Sequence, residues 1–205
     1  MDTFSELSAV CSSAAQQAFD DALARISAYD GSNTVPVQLD YDLIGVTGIS
    51  NANRAIINTA INVLPADATD SVAEVQATID AYRLVIAAAD GVSDGDPVLS
   101  TSDFAALGLS NIDTAADASL MNAWIDKSAA TAVDTQPELA AMASIVDRLM
   151  RTAAGETVTP PLTAADFAAL GMSGVTSSNL STVIAEIAAT ADNGSAIDTF
   201  AELTA

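Results

Sequence analysis

Hydrophobic residues recur along this chain at helical spacing, and one short pattern of apolar and polar positions is found three times. In the clearest copy, Phe104 and Leu107 stand three residues apart with alanines between them, and Gly108 and the apolar Leu109 follow directly. Residues three apart lie on one face of a helix, and glycine often ends a helix because it adopts the left-handed conformation without steric cost. The pattern therefore predicts a short amphipathic helix that stops at the glycine.

The copies of this pattern are evenly spaced along the sequence. Gly45, Gly108 and Gly171 hold the same place in their copies, and each lies 63 residues from the next. A fixed period of this size is typical of helical repeat arrays. Runs in which Val, Ile and Thr alternate with polar residues are missing from the sequence, which argues against β-strands. We therefore predict an all-α protein, built of tandem three-helix-bundle repeats of about 63 residues in an extended array.

A second signature predicts where the third helix of each repeat begins. A Ser or Thr followed three residues later by Glu forms a capping box, because each side chain bonds a free backbone N–H at the start of the helix. The four boxes are Thr3/Glu6, Ser71/Glu74, Thr135/Glu138 and Thr199/Glu202. After the first box, apolar residues keep helical spacing as far as Tyr29, which predicts a long amphipathic helix over residues 1–29.

A middle helix is predicted between the two signatures in each repeat. Apolar pairs four residues apart lie on one helical face, and this face is expected to point into the core. The pairs are Ile57/Ile61, Leu120/Trp124 and Val183/Ile187, in predicted helices over 51–64, 114–127 and 177–190. We interpret Trp124, the single tryptophan, as a packing residue.

The order of the signatures predicts four segments. Residues 1–31 are the third helix of an incomplete unit, and residues 32–94 and 95–158 are two full repeats. Residues 159–205 are a last repeat whose third helix is truncated. Prolines near the start of each repeat delay the next helix and so mark the boundaries.

The charge narrows the choice of partners. The chain has 27 acidic and 6 basic residues, for a net charge of −21. A field of this sign repels nucleic acid and anionic membrane surfaces, so neither is an expected partner. No apolar run is long enough to span a membrane, and no basic segment followed by an apolar one is visible at the start of the sequence. We therefore expect neither membrane insertion nor a cleavable N-terminal signal peptide.

Few residues qualify for catalysis. Histidine is absent and Cys11 is the only cysteine. This excludes imidazole chemistry and a thiolate zinc site, and no nucleophile–base pair is visible, so we predict that the chain is not an enzyme. Cys11 lies on the apolar stripe of the first helix, where we expect it to be buried by packing.

One linker concentrates carboxylates. Asp90, Asp94 and Asp96 stand close together with glycines between them. Calcium favours several oxygen ligands on a flexible loop, although this spacing does not fit an EF-hand. Two interpretations stay open: a weak calcium site, which would be the only cofactor, or a solvated linker.

The caps also carry a resemblance. Gly45-Val46-Thr47, followed by Ser71-Val72-Ala73-Glu74-Val75, resembles the three-helix GA-type modules found in tandem in large bacterial surface proteins, some of which bind serum albumin. The glycine phrase followed by an Ala-rich helix is similar to repeats of giant secreted bacterial adhesins. The resemblance implies an extracellular or cell-surface location, reached without a visible N-terminal signal peptide. It also implies a host or cell-surface protein as a candidate partner.

Two classes of function follow. In the first, the chain is a structural protein that assembles head to tail with itself into a filament or stalk, because the first helix lacks the two helices that the last repeat has to spare. In the second, it is a protein-binding, adhesin-like module excerpted from a larger surface protein. The expected assembly residues are Phe4, Leu7, Cys11, Ile26, Tyr29, Phe167, Leu170, Val183 and Ile187.

Overall fold

The computed structural model describes residues 4–92, 97–190, 197 and 200–203, and α-helices joined by turns make up this part of the chain. The helices are α1 Phe4–Ser27, α2 Gln38–Ile44, α3 Arg54–Ile61, α4 Val72–Ala88, α5 Thr101–Ala106, α6 Ala115–Asp126, α7 Gln136–Ala153, α8 Ala164–Ala169, α9 Leu180–Ala188 and α10 Phe200–Leu203. Two short 3₁₀ turns, Ala66–Ala68 and Ala130–Ala132, precede α4 and α7. The all-α prediction is confirmed, while the grouping into three-helix repeats stays a prediction.

The first helices end at the glycines as predicted. Gly45, Gly108 and Gly171 have φ angles of 77°, 78° and 87°, in the left-handed region that favours glycine. The Leu109 amide donates to the Phe104 carbonyl at 2.9 Å, which closes the helix end. An added Cβ at Gly45 would meet nothing within 4 Å, so the φ angle rather than lack of space is what requires glycine there.

The third helices begin as predicted wherever the capping box is described. The Ser71 amide donates to Glu74 Oε2 at 3.0 Å, and the hydroxyl of Thr135 donates to Glu138 Oε2 at 2.8 Å. The boxes at Thr3 and Thr199 lie outside the described residues.

The first helices carry capping boxes that the sequence-based prediction did not include. In these boxes an Asp takes the place of Glu. The Ser100 amide donates to Asp103 Oδ2 at 2.8 Å, and the Thr163 amide donates to Asp166 Oδ2 at 2.7 Å. The starts of α5 and α8 therefore each place a carboxylate against backbone N–H groups that have no partner within the helix, where the helix dipole also favours negative charge.

The middle helices form where they were predicted, but they are shorter. Asn53 and Asn179 each accept a backbone N–H from the residue three before them, and this turn delays the start of α3 and α9. The core-facing pairs in the first two repeats are confirmed: Ile57 and Ile61 are at most 1% exposed, and Leu120 and Trp124 at most 7%. In the last repeat Ile187 is buried, whereas Val183 is half-buried.

The contacts divide the chain into two compact units. The first contains the residues up to Arg83 together with 106–108, and the second contains Leu84–Ala105 and the residues from Leu109 onward. The division falls inside α4, between Arg83 and Leu84. The predicted boundaries at 31, 94 and 158 stay predictions.

Candidate assembly site

The first half of α1 is a helix with an exposed apolar face. Every residue from 4 to 17 is exposed. Phe4 is 89% exposed, Leu7 50% and Val10 51%, and the three lie on one side of the helix together with Cys11. The prediction that Cys11 is buried is wrong for a single chain, because α1 makes its main contacts, with α2 and the first 3₁₀ turn, through its other half.

The second half of α1 is packed within its own unit. Ala22 and Ile26 are at most 1% exposed, and α1 contacts α2 along this half. Arg25 forms an ion pair with Asp40 at the start of α2, and the Ser27 hydroxyl donates to the Ala66 carbonyl at 3.1 Å. Ile26 is therefore already covered inside the chain, and half-buried Tyr29 lies just beyond this contact. Of the predicted assembly residues on α1, those that remain exposed are Phe4, Leu7 and Cys11, in its first half.

The matching face is buried in the other two predicted third helices. The residue directly after the capping Glu is Leu7 in α1, Val75 in α4 and Leu139 in α7. Val75 and Leu139 are both 0% exposed, whereas half of the Leu7 side chain is in solvent. Helix α7 packs on α6 and α9, and its Val146 is also 0% exposed. The same pattern of residues is thus buried in α4 and α7 but exposed in the first half of α1.

An apolar groove lies on α8 and α9, in the second unit. It has a volume of about 640 Å³, and its lining includes Phe167, Met172, Val175, Val183 and Ile187. Phe167 and Ile187 form its floor, since they are 1% and 7% exposed, and Val183 stands half-buried in its wall. The groove therefore has the composition of a bundle core that is open on one side.

Leu170, the remaining predicted assembly residue, faces the core rather than the groove. Its side chain is 1% exposed. Its backbone carbonyl accepts a hydrogen bond from Lys127 Nζ at 2.9 Å, so the single lysine of the chain caps the end of α8. Burial lowers the pKa of Lys127. Of the predicted residues, Phe167, Val183 and Ile187 lie together in the groove, and Leu170 is buried but is not part of its lining.

Helix α10 lies at the edge of this groove. Its residues Glu202 and Leu203 are part of the lining, and Leu203 is half-buried. The helix also contacts α6. Leu203 follows the capping Glu of the fourth predicted box, so it holds the place in the repeat that Leu139 holds in α7.

An arginine fixes the groove to the preceding third helix. Arg148 of α7 donates to Asp166 through Nη2 at 2.9 Å and Nη1 at 3.1 Å, and Nη1 also donates to the Pro161 carbonyl at 3.2 Å. Burial opposes the charge of Asp166, but the hydrogen bonds from Arg148 and Thr163 outweigh it and hold the pKa of this carboxyl below its usual range. Bidentate pairs of this kind fix orientation as well as distance.

The same contact is present at the start of the first repeat. Arg25 pairs with Asp40, and Asp40, like Asp166, is the acidic residue of the cap that begins a first helix. Both third helices therefore use an arginine in their second half to bind the helix that follows. Two of the 6 basic residues serve this contact. The sequence contained a signal for it, because Asp40, Asp103 and Asp166 follow the 63-residue period.

The candidate calcium linker is described only in part. Asp94 and Asp96 lie outside the described residues. Asp90 is exposed, and its Oδ1 accepts the Val92 amide at 2.8 Å. Within the described ranges, no three His, Cys, Asp or Glu side chains are grouped so that they would hold a metal ion. The calcium site stays a prediction.

Neither the lengths of the described helices nor comparison with known proteins identifies a function. In the part of the chain that the structure describes, each helix is too short or too polar to cross a membrane. Comparison with family models, with curated proteins and with solved structures found no match. The resemblance to GA-type modules and to adhesin repeats therefore stays a prediction.

Proposed function

We propose that this chain is a structural repeat protein that assembles head to tail with copies of itself. The first half of α1 of one copy occupies the groove on α8 and α9 of another, where it takes the place of a third helix. The observation that carries the proposal is the exposure of Leu7 next to the complete burial of its counterpart Leu139. One apolar face is exposed, and one apolar groove is open on one side.

The lengths support this pairing. Residues 4–17 are exposed and helical, and at 1.5 Å per residue they span about 21 Å. This is about four helical turns. The incoming helix would place Leu7, Val10 and Cys11 along the apolar lining. Its second half would remain packed on its own α2.

The energy of this contact is modest. Burying Phe4, Leu7 and Val10 contributes on the order of 4–6 kcal/mol, and the apolar lining of the groove contributes a comparable amount. Association costs at least about 4 kcal/mol in lost translational and rotational freedom. We therefore expect association at micromolar or higher concentration rather than a permanent complex.

The contact joins two different surfaces, so it is heterologous. Each bound copy still offers one free groove and one free helix, and such contacts give open chains of copies unless the rotation closes a ring. The net charge of −21 opposes association between copies, and salt screens that repulsion. We therefore expect longer assemblies at higher ionic strength.

The test is sedimentation velocity of the full chain over a range of concentrations, in low salt and in about 0.5 M salt, where charges are largely screened. The wild type should show a concentration-dependent increase in mass that is stronger in salt. Leu7→Glu with Val10→Glu should abolish it, because two carboxylates would enter an apolar groove. Leu39→Glu is the matched control, since Leu39 is 61% exposed on α2 and takes no part in the contact.

Circular dichroism should give the same helix content for all of these variants, because the substituted side chains are exposed. A wild type that stays monomeric at millimolar concentration in both salts contradicts the proposal. Association that the Leu7/Val10 variant retains contradicts it as well.

A further inference from the structure

Helix α2 presents two large apolar side chains to solvent. Leu39 and Leu43 are 61% and 39% exposed, and they lie four residues apart on one side of the helix. The buried side of α2 includes Tyr41 and Ile44, at most 4% exposed, so the core is formed without the two leucines. We call Leu39 and Leu43 the α2 patch.

The other first helices carry small side chains at these two places. The counterparts, counted by the 63-residue period, are Ser102 and Ala165 for Leu39, and Ala106 and Ala169 for Leu43. Helices α5 and α8 form with these small residues. The fold of a first helix therefore does not require leucine at either place, and the α2 patch is a property of the first repeat.

The residue before α2 departs from the repeat as well, at a cost to the helix. In α5 and α8 the N-cap residues are Ser100 and Thr163, whose hydroxyls each accept the amide of the capping Asp at 3.3 Å. The N-cap of α2 is Val37, which has no side-chain oxygen and is 48% exposed. An exposed apolar residue in place of a cap weakens the start of the helix and adds nothing to the core. Departures of this kind are expected at functional sites.

Carboxylates accompany the α2 patch. Asp42 is exposed on α2, and Asp20 and Asp21 are exposed on the half of α1 that packs on α2. Among the ion pairs of the described residues, none involves these three carboxylates. They accept hydrogen bonds from neutral amides at 2.9, 2.8 and 2.7 Å, donated by Gln38, Gln16 and Gln17. A cationic partner can therefore pair with them without displacing an ion pair.

We propose that the α2 patch binds a basic amphipathic helix of another protein. The apolar side chains of that helix cover Leu39 and Leu43, and its lysines or arginines pair with Asp42 and with the carboxylates of α1. A second copy of this chain fits this face poorly, because it would bring like charges together at the contact. The contact uses neither the first half of α1 nor the groove on α8 and α9, so it is independent of the head-to-tail contact.

The probe is a synthetic helical peptide of about four turns with leucines along one face and lysines elsewhere. Its matched control has glutamate in place of each lysine. Fluorescence anisotropy of the labelled peptides is measured against the full chain in low salt and in about 0.5 M salt. The lysine peptide should bind, the glutamate peptide should bind at least about tenfold more weakly, and salt should weaken binding. Salt thus acts here in the direction opposite to its expected effect on self-association.

The decisive variant is Leu39→Ser with Leu43→Ala, which gives α2 the residues that α5 has at these places. It should weaken binding of the lysine peptide about tenfold to a hundredfold, because two apolar side chains lose their contact. Its helix content and its self-association should equal those of the wild type. Leu7→Glu with Val10→Glu is the matched control, and it should bind the peptide as the wild type does.

The outcomes separate this contact from the head-to-tail contact. Loss of peptide binding in the α2 variant alone supports the proposal, whether or not the chain self-associates. Equal binding by the α2 variant and the wild type means that net charge alone attracts the peptide, and the proposal is then wrong. It is also wrong if the lysine peptide does not bind at about 100 μM in low salt. Weaker self-association of the α2 variant would assign the patch to a contact between copies instead.

Discussion

Helices α1 and α7 share a cap sequence, a Thr followed three residues later by Glu, but they bury very different numbers of residues. In α7, ten of the 18 residues are buried, including Leu139, Val146 and Leu149. In α1, which is longer at 24 residues, only Ala22 and Ile26 are buried. The second halves share one contact, because each sends an arginine to the aspartate that caps the following helix. The first halves differ completely, because α7 buries four residues there and α1 buries none.

This difference separates two kinds of information in a repeat sequence. The spacing of apolar residues specifies which face of a helix is suited to burial, and it does so equally well in α1 and α7. The segment that covers this face lies elsewhere in the sequence, and the spacing of apolar residues within the helix does not identify it. Helix α7 packs on α6 and α9 of its own chain, whereas the first half of α1 is left in solvent. An exposed face with the pattern of a buried one is the kind of surface that marks an interaction site.

Truncating the matched leucines of α1 and α7 should give the largest difference in stability between the two helices. Leu139→Ala should lower the free energy of unfolding by about 2–5 kcal/mol, because it leaves a cavity in a packed core. Leu7→Ala should change it by less than about 0.5 kcal/mol at a concentration where the protein is monomeric, since Leu7 is half in solvent. Urea unfolding followed by circular dichroism measures both. Similar losses in the two variants would mean that the first half of α1 is packed after all.

Much of this architecture was readable from the sequence, for local reasons. A glycine that ends a helix, and a Thr with Glu three residues later, depend only on neighbouring residues, so Gly45, Gly108 and the box at Thr135 were predicted correctly. The core positions Ile57 and Trp124 followed from helical spacing. The ion pairs of Arg25 and Arg148 were not predicted, because their linkers differ in length and spacing alone does not align them. The exposure of Cys11 was missed because periodicity does not reveal what covers a face.

Removing the arginines in the second halves of α7 and α1 should have a smaller effect on stability, and it tests whether the two ion pairs play the same role. Removing one partner of a buried ion pair costs about 3 kcal/mol, so Arg148→Met should destabilise the fold by about that amount near neutral pH. Arg25→Met should cost less, because Arg25 is 40% exposed and water screens its charge. The control is Arg83→Met: Arg83 is 57% exposed and lies 3.6 Å from Asp80, so its loss should cost less than about 1 kcal/mol.

The pH dependence of the Arg148 variant identifies the ion pair as the cause. The pKa of Asp166 in the folded protein lies below its ordinary value of 3.8. The pair therefore contributes its full stability above the unfolded pKa and loses it as the pH falls through the folded pKa. The difference between wild type and Arg148→Met, measured by urea unfolding, should be constant from about pH 5 to 7 and should shrink below about pH 4. A difference that does not change with pH would assign the effect to packing of the Arg148 stem instead.

The smallest expected effect concerns the one thiol. Cys11 lies five residues after Glu6, and Ala143 lies five residues after Glu138, so the two hold matched places in α1 and α7. Cys11 is exposed and Ala143 is 0% exposed. In dilute solution Cys11 should therefore react with a thiol reagent at the rate of an accessible cysteine. A cysteine at the other site, made as Ala143→Cys in a Cys11→Ser background, should react only when α7 opens.

The head-to-tail contact adds a dependence on concentration to this pair of rates. When α1 enters the groove of another copy, Cys11 comes to lie in an environment like that of Ala143, and only the fraction of chains with a free α1 reacts quickly. Between dilute protein and a concentration about ten times the half-association value, the rate at Cys11 should fall about threefold to tenfold. The rate at position 143 should not change, because Ala143 is already buried within its own chain. Leu7→Glu should remove the concentration dependence at Cys11, and a Cys11 rate that is constant at all concentrations would contradict burial of this face by a second copy.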